Sequence, residues 1–335
     1  MMPLWLLGVL LVSWVLTGEV RRYALARSLL DVPNARSSHA VPTPRGGGLA
    51  IVLAFLVALP LLALEGVLAW SGMWALLGGG AWVAALGFLD DHGHVAARWR
   101  LLGHFIAAGW VLLWLGGLPP LQAGDVTLEL GWLGQGLALV GLVWLLNLYN
   151  FMDGIDGIAA VEAICVCLGG ALLYVLLGYP ALVWTPLALA LAVLGFLYWN
   201  FPPARIFMGD AGSGFLGLVL GGLALQAAWV ASELLWGWLI LLGVFVVDAT
   251  WTLLHRLLRR ERVYEAHRSH AYQFASRRCG RHLPVTLAVA LLNLFWLLPL
   301  AVCVALGYLN GVVGLLLAYS PLAWLARRFE AGAAE

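Results

Sequence analysis

Residues 147–157 read Asn147-Leu-Tyr-Asn150-Phe-Met-Asp153-Gly154-Ile-Asp156-Gly157, and they join two long apolar runs. Each flanking run has the length, roughly 17 to 25 residues, of a helix that crosses the hydrocarbon of a bilayer. The polar stretch between them is therefore the turn joining two membrane helices. Asp153 and Asp156 are three residues apart, a spacing that points both carboxylates the same way on a helical turn. Asn147 and Asn150 repeat that spacing one turn earlier. Gly154 and Gly157 remove side chains beside the acids and let a ligand approach the backbone. The plainer alternative is an ordinary polar turn, but carboxylates gathered at the end of a membrane helix more often serve a site.

Composition extends this reading to the whole chain. It has 335 residues, 63% hydrophobic and 10% charged, with mean hydropathy +0.94. A soluble domain carries roughly a quarter charged residues, so the soluble classes are excluded. Long apolar runs imply helices, not a barrel. Cys165, Cys167, Cys279 and Cys303 form no CxxC pair, so neither a disulfide nor a metal framework is expected. The first apolar run has no basic residue before Arg21 and no small-residue cleavage site after it, which reads as a retained span.

The pattern predicts an all-α polytopic membrane protein with about eleven transmembrane helices. They lie near 3–20, 47–64, 73–89, 101–118, 134–149, 158–178, 181–199, 213–231, 234–254, 284–307 and 310–326. All 18 Lys and Arg residues are arginine, and every one falls on the same side of this arrangement. The positive-inside rule makes that side cytoplasmic, with the N-terminus outside and the C-terminus cytoplasmic. The spans crowd together, so residues 1–335 form a single transmembrane domain. Its cytoplasmic loops 21–46, 90–100, 150–157, 200–212 and 255–283 carry the chemistry. The outer loops hold only Glu65, Asp125, Glu129 and Glu233, with no basic or histidine companion.

The first cytoplasmic loop contains Arg36 and, further on, Pro42-Thr-Pro-Arg45-Gly-Gly-Gly48. A stiffened loop feeding a helix N-terminus suits anion binding, with both arginines adding positive charge; a basic anchor at lipid headgroups fits equally. The third span ends in Asp90-Asp91-His-Gly-His94. Adjacent carboxylates repel, so they imply a cation, a proton or a basic group nearby. The stretch Asn200-Phe-Pro-Pro-Ala-Arg205-Ile-Phe207-Met-Gly-Asp210-Ala-Gly-Ser213 offers an acid and a hydroxyl at a helix start. That arrangement suits Mg²⁺ with phosphate, and it also suits a plain N-cap. The longest polar loop holds His267 and His270 among many arginines. Asp248, inside an apolar run, is expected to face the bundle. Oxygen ligands without cysteine favour Mg²⁺, or Mn²⁺, over zinc. Magnesium with arginine and backbone N–H groups is the equipment of phosphoryl transfer.

These motifs resemble those of the polyprenyl-phosphate N-acetylhexosamine-1-phosphate transferases, a glycosyltransferase family that includes phospho-MurNAc-pentapeptide translocase. The shared order is Pro-Thr-Pro-Arg-Gly-Gly, Asp-Asp, Asn-x-x-Asn-x-x-Asp-Gly-x-Asp-Gly, Phe-Met-Gly-Asp-x-Gly-Ser and a histidine loop, over roughly residues 30–320. Eleven spans with an outside N-terminus look more like the branch that initiates O-antigen or enterobacterial common antigen. The resemblance implies transfer of a sugar-1-phosphate from a UDP-N-acetylamino sugar, of GlcNAc or FucNAc type, to undecaprenyl phosphate in the bacterial inner membrane. UMP leaves, and the site faces the cytoplasm.

Position by position, Asp90 resembles the acid proposed to deprotonate or orient the lipid phosphate, with Asp91 beside it, and Asp210 the principal Mg²⁺ ligand. Asn150, Asp153, Asp156, Asn200 and Phe207 match positions lining the nucleotide site, where Phe207 would stack on uracil. His270 matches the first histidine of a His-x-His-His element near the diphosphate. Two departures stand out: His94 replaces the last acid of Asp-Asp-x-x-Asp, and the histidine element becomes His-Ala-Tyr-Gln with His267 upstream. The catalytic set is thus Asp90, Asp91, Asp153, Asp156 and His270. Substrate contacts are assigned to Asn150, Asn200, Phe207, Arg36, Arg45, Arg205 and His267, and metal binding to Asp210 and Asp91. Membrane lipids are expected partners and nucleic acid is not; a homodimer is left open. The expected chemistry is a one-step displacement, with an aspartyl-phosphate route as its alternative. The rival from another class is a transporter or lipid flippase with an acidic site, which would place its ionisable groups near the midplane.

Overall fold

The computed structural model describes residues 4–33, 38–39, 41–93, 95–123, 126–261 and 267–333. Arg36 and His94 lie outside the described residues. Helix α1 (Trp5–Ala26) is followed by a short antiparallel pair, β1 (Leu30–Asp31) with β2 (Thr43–Pro44), in which Asp31 faces Thr43. Then come α2 (Gly48–Leu64), α3 (Trp70–Gly93), α4 (Ala97–Leu115) and a hairpin of β3 (Leu121–Ala123) and β4 (Val126–Leu128). Helices α5 (Gly131–Met152), α6 (Ile158–Leu176), α7 (Trp184–Asn200) and α8 (Asp210–Val230) follow. The remainder is α9 (Ser232–Leu241), α10 (Gly243–Leu258), α11 (Ala271–Cys279), α12 (Leu283–Leu292), α13 (Leu298–Ala305) and α14 (Gly311–Arg328).

Helix covers each of the predicted apolar runs, and the protein is an all-α polytopic membrane protein. Among the described residues, 6 helices are long and apolar enough to cross a membrane, or up to 7 if a bent pair is one span. This is fewer than the eleven expected. The others fall short for visible reasons: α2 has only 17 residues, α1 ends in Glu19, Arg21 and Arg22, and α4 begins with Arg98 and Arg100. The bent pair is α9 and α10, which meet at 67°. Between α12 and α13 the chain makes a π-helical turn, Asn293–Leu297. Pro299 has no N–H to offer the preceding turn, which accounts for the widened helix there.

Helix α8 is the core of the bundle. It is buried along nearly its whole length and packs against α3, α5, α2 and α9. Small residues such as Gly214, Gly217 and Gly221 on α8 permit that close approach. At Gly87 of α3, an added Cβ would lie 2.5 Å from the backbone nitrogen of Ala211, so the end of α3 runs directly against the start of α8.

Several polar stretches predicted as loops are helical. Asp90 and Asp91 sit on the last turn of α3, Arg98 and Arg100 on the first turns of α4, and α11 occupies part of the 255–283 segment. The reverse holds at Asp153 and Asp156. Helix α5 ends at Met152 and α6 begins at Ile158, so the two acids lie in a non-helical corner instead of on one turn. Gly157 closes that corner at φ +75°, a conformation that costs glycine little and an L side chain considerably more.

Candidate active site

At the end of the bundle where these corners meet, a cavity of about 380 Å³ opens. It is lined by carboxylates from separate elements: Asp31 on β1, Asp91 on α3, Asp153 and Asp156 between α5 and α6, and Asp210 on α8. Arg45, Asn150, Asn200, Phe207, Ser213, Gln273 and His282 complete the polar wall. The structure therefore brings together most of the residues singled out from sequence.

Hydrogen bonds explain how each is held. Asp91 receives the N–H of Asp210 on Oδ1 at 3.3 Å and that of Ala211 on Oδ2 at 3.4 Å. It caps α8 from a neighbouring helix, satisfying donors that the first turn of α8 cannot satisfy itself. Arg45 donates to the backbone carbonyl of Asp91, and Phe207 N–H bonds the carbonyl of Pro44 at 2.8 Å, which ties β2 and the residues after it to the start of α8. Asn200 receives Gly157 N–H at 3.0 Å and donates to Ile206 carbonyl at 2.9 Å, clamping two corners of the site together. The Phe207 ring stands edge-on to His39 at 4.8 Å between centroids.

Asp156 accepts Ala204 N–H at 3.0 Å on one oxygen, and His282 Nδ1 lies 3.1 Å from the other. The hydrogen bond to Asp156 raises the pKa of His282, against the opposing effect of its burial. His282 Nε2 donates to Ser38 carbonyl at 3.0 Å, so protonation at Nδ1 completes an imidazolium facing a carboxylate.

Asp153 is a different case. Burial pushes its carboxyl well above the ordinary range, and the nearby charges of Asp210, Asp91 and Asp156 push in the same direction. A proton or a cation relieves that repulsion. Among the described residues, no group of three or more His, Cys, Asp or Glu side chains is placed to hold a metal ion. Magnesium does not need one, since it keeps water and is held by one or two carboxylates plus substrate phosphates. Asp210 and Asp153 fit that donor set.

Behind the cavity lies a small chamber that shares Asn150 and Asp210 with it and is lined by Asp90, Arg100, His104 and Asn147. Asp90 belongs to this chamber and not to the main cavity. One of its oxygens accepts Val95 N–H at 2.7 Å, and the other pairs with Arg100. Arg100 Nη1 also stands 3.4 Å from Asp210 Oδ2, so one guanidinium bridges the chamber and the cavity.

The sequence profile of glycosyl transferase family 4 matches residues 73–228, which take in the α5–α6 corner and all but the outer ends of α3 and α8. A probable undecaprenyl-phosphate N-acetylglucosaminyl 1-phosphate transferase of Bacillus subtilis is 30% identical over 271 residues, 78% of this chain and 74% of the relative. A decaprenyl-phosphate N-acetylglucosaminephosphotransferase of Mycolicibacterium smegmatis is 33% identical, covering 75% of this chain and 68% of the relative. A phospho-N-acetylmuramoyl-pentapeptide-transferase of Chlamydia muridarum is 33% identical, covering 66% and 71%. The chain belongs to glycosyl transferase family 4.

In this member of family 4 some residues assigned to the site lie elsewhere. His270 is buried and does not line the cavity; its Nδ1 is 3.4 Å from Asp248 Oδ1, and its ring stacks on His267 at 4.9 Å. Burial, followed by the charges of His270 and Arg256, lowers the pKa of His267 to about 3, so it is neutral at physiological pH. Asp248 also accepts the N–H groups of Ala271 and Tyr272 at 2.9 and 3.0 Å. The histidine segment thus fixes α11, which presents Gln273 to the cavity. Arg205 lies against Tyr198 and Trp199, donating to Tyr198 carbonyl at 2.7 Å, outside the cavity lining.

Sequence reasoning passed over Arg100, Gln273 and His282 as site residues. Arg100 left a trace as one of two arginines at the start of a largely apolar helix. Gln273 and His282 carried only weak local signals, and they reach the site through the packing of α11 and α12.

Proposed function

We propose that this protein transfers an N-acetylhexosamine 1-phosphate from a UDP-N-acetylamino sugar to undecaprenyl phosphate, releasing UMP and starting a lipid-linked glycan. The observation that carries this reading is the convergence of Asp91, Asp153, Asp156 and Asp210 on one cavity, in a chain whose family relatives are named as polyprenyl-phosphate sugar-phosphate transferases. The site faces the cytoplasm of a bacterial inner membrane, because Arg45, Arg100 and Arg205 share its end of the bundle. Eleven spans, with the N-terminus outside and the C-terminus inside, are consistent with that distribution. The altered histidine element points to the branch that initiates O-antigen, with a GlcNAc- or FucNAc-type donor.

Asp210, with Asp153 on the same cavity wall, would hold Mg²⁺, which when bound would supply positive charge toward the donor phosphates. A lipid phosphate oxygen attacks the β-phosphorus of the donor; the new O–P bond forms as the bond from that phosphorus to the bridging oxygen breaks, and UMP leaves with the electron pair. The N-terminus of α8, capped by Asp91, directs its dipole at the same region. Asp90 acts as half of a pair with Arg100 and not as a free base, and that pair orients the incoming phosphate. Asn150 donates to Ser213 Oγ at 3.3 Å and is also a hydrogen-bond partner of the Asp210 carboxyl. Phe207 supplies a face for the uracil ring.

The test is release of UMP by the purified protein with undecaprenyl phosphate, Mg²⁺ and a panel of UDP-sugars, together with labelled sugar in the lipid fraction. Asp210→Asn is expected to abolish both while the protein remains folded. Labelled lipid failing to form with any UDP-N-acetylamino sugar overturns the proposal, and uptake of solute into vesicles in its place indicates a transporter.

A further inference from the structure

Arg205 turns from the catalytic cavity toward the outside of the bundle, where α1 packs on α7. A groove of about 730 Å³ runs beside that contact, lined by Leu10, Leu11 and Trp14 of α1, Leu194 and Tyr198 of α7, and Phe201. Its walls are fixed. An added Cβ on Gly195 would lie 2.5 Å from the Leu10 carbonyl oxygen, so the two backbones touch there. Ser13 Oγ donates to the Ala192 carbonyl, and Trp199 Nε1 to that of Trp14 at 2.9 Å. At one end stand two guanidiniums. Arg205 lies 4.7 Å from the centroids of both Tyr198 and Trp199, and Arg21 lies 6.0 Å from that of Trp199, which stacks on Trp14. Arg21 Nε donates to the Arg205 carbonyl at 3.1 Å, and Arg205 Nη2 to the Tyr198 carbonyl at 2.7 Å. A guanidinium has five N–H donors, so each keeps donors to spare. Among the described residues neither arginine pairs with a carboxylate, and Glu19, the acid nearest Arg21 in the chain, is paired with Arg22.

We propose that this groove binds an anionic phospholipid of the cytoplasmic leaflet, its acyl chain against Leu10, Leu11, Trp14 and Leu194 and its phosphate on Arg21 and Arg205. Charge and length both point to that occupant. The planar fork of arginine matches phosphate oxygens. On the orientation proposed above, both arginines lie at the inner surface, where anionic headgroups gather. Leu10 and Arg21 stand about 16 Å apart along α1 at 1.5 Å per residue, and one leaflet provides half of the roughly 30 Å of hydrocarbon. An acyl chain fills that depth, whereas the polyprenyl chain of the acceptor is far longer. The 201–205 turn couples the groove to the site, presenting Phe201 to one and Ala204 to the other. Arg205 N–H bonds the Trp199 carbonyl at 2.8 Å, and the preceding residue, Ala204, donates its N–H to Asp156 Oδ2 at 3.0 Å. A phosphate that steadies Arg205 therefore steadies the hydrogen bond that positions a cavity carboxylate.

The test uses full-length protein in phosphatidylcholine nanodiscs that contain phosphatidylglycerol with a photoactivatable diazirine in its acyl chain. Adducts are expected on residues 10–14 and 194–201, displaced by unlabelled phosphatidylglycerol and not by excess phosphatidylcholine. Arg21→Gln combined with Arg205→Gln keeps an N–H for each backbone carbonyl and removes both charges. It is expected to weaken this labelling about thirtyfold with an unchanged unfolding temperature. If that variant does not fold, Leu194→Trp fills the groove from its exposed apolar side, leaves the arginines in place and is expected to abolish the same adducts. Equal labelling by a phosphatidylcholine probe, or full labelling in either variant, overturns the proposal. So does displacement by undecaprenyl phosphate at lower concentration than phosphatidylglycerol, which assigns the groove to the acceptor. Parent turnover is expected to be several-fold higher with phosphatidylglycerol than in phosphatidylcholine alone, and the double variant to lose that difference; a parent indifferent to phosphatidylglycerol overturns the coupling. This arm rests on the transferase reading: if no preparation turns over a UDP-sugar, that reading fails while the crosslinking comparison still decides the lipid site.

Discussion

Arg100 Nη1 lies 3.4 Å from Asp210 Oδ2 while the same guanidinium pairs with Asp90, so one cation on α4 links an acid on α3 to an acid on α8. Without it, the two carboxylates face one another across the wall between chamber and cavity. Arg100→Gln is expected to lower turnover about 10²-fold, the scale of losing a charge-stabilising group. Arg100→Lys keeps the charge but not the two-pronged geometry, and should fall between the two. Initial rates of UMP release at saturating substrate measure the effect; equal rates in parent and Arg100→Gln would remove the bridge from the chemistry.

Asp153 sits under the pressure of burial and of the Asp210, Asp91 and Asp156 charges. Asp153→Asn relieves that repulsion and also removes a carboxyl oxygen that the proposed Mg²⁺ would use. The expected result is a protein at least as stable as the parent in the absence of Mg²⁺, with turnover reduced about 10² to 10³-fold and a weaker Mg²⁺ requirement curve. Metal titrations of UMP release, paired with thermal unfolding in EDTA, separate the two effects.

The His282–Asp156 contact makes stability depend on pH. Asp156 raises the pKa of His282, so the folded state binds the imidazole proton more tightly than the unfolded chain does. Its contribution is fully present below the unfolded value, about 6.5, and is lost as pH rises through the raised folded value. His282→Gln should flatten that part of the profile. Unfolding temperature against pH, parent minus variant, is expected to show a positive difference on the acid side that shrinks toward alkaline pH. A difference that grows with pH contradicts the assigned pair.

Gly87→Ala tests the packing that places the acid pair. An added Cβ would stand 2.5 Å from the Ala211 nitrogen and 2.6 Å from its Cα, backbone atoms that cannot rotate aside. Overpacking of this kind costs about 1–3 kcal/mol, and it displaces the Asp91 cap from α8. Lower thermal stability together with lower turnover is expected. Gly93→Ala on the same helix meets nothing within 4 Å and serves as the control.

Sequence alone determined a good deal here. Hydropathy fixed a helical membrane protein, because a bilayer offers no water to satisfy backbone groups and only apolar helices long enough to cross it remain. The motifs containing Asp91, Asp153, Asp156 and Asp210 identified the acids, since carboxylates are too costly beside lipid to be placed there without use. Which of them share a cavity was decided by tertiary structure. Asp90 and Asp91 are neighbours in the chain, yet successive residues on a helix point about 100° apart, so one reaches the chamber and its Arg100 while the other caps α8. His270 matched the first position of the histidine element and still turned inward, because Asp248 on a different helix offers it a buried partner. His282 and Gln273 had weak local signals and reached the cavity, because α11 and α12 pack where they do. Local patterning states what a side chain can do; the packing of distant helices determines which side chains meet.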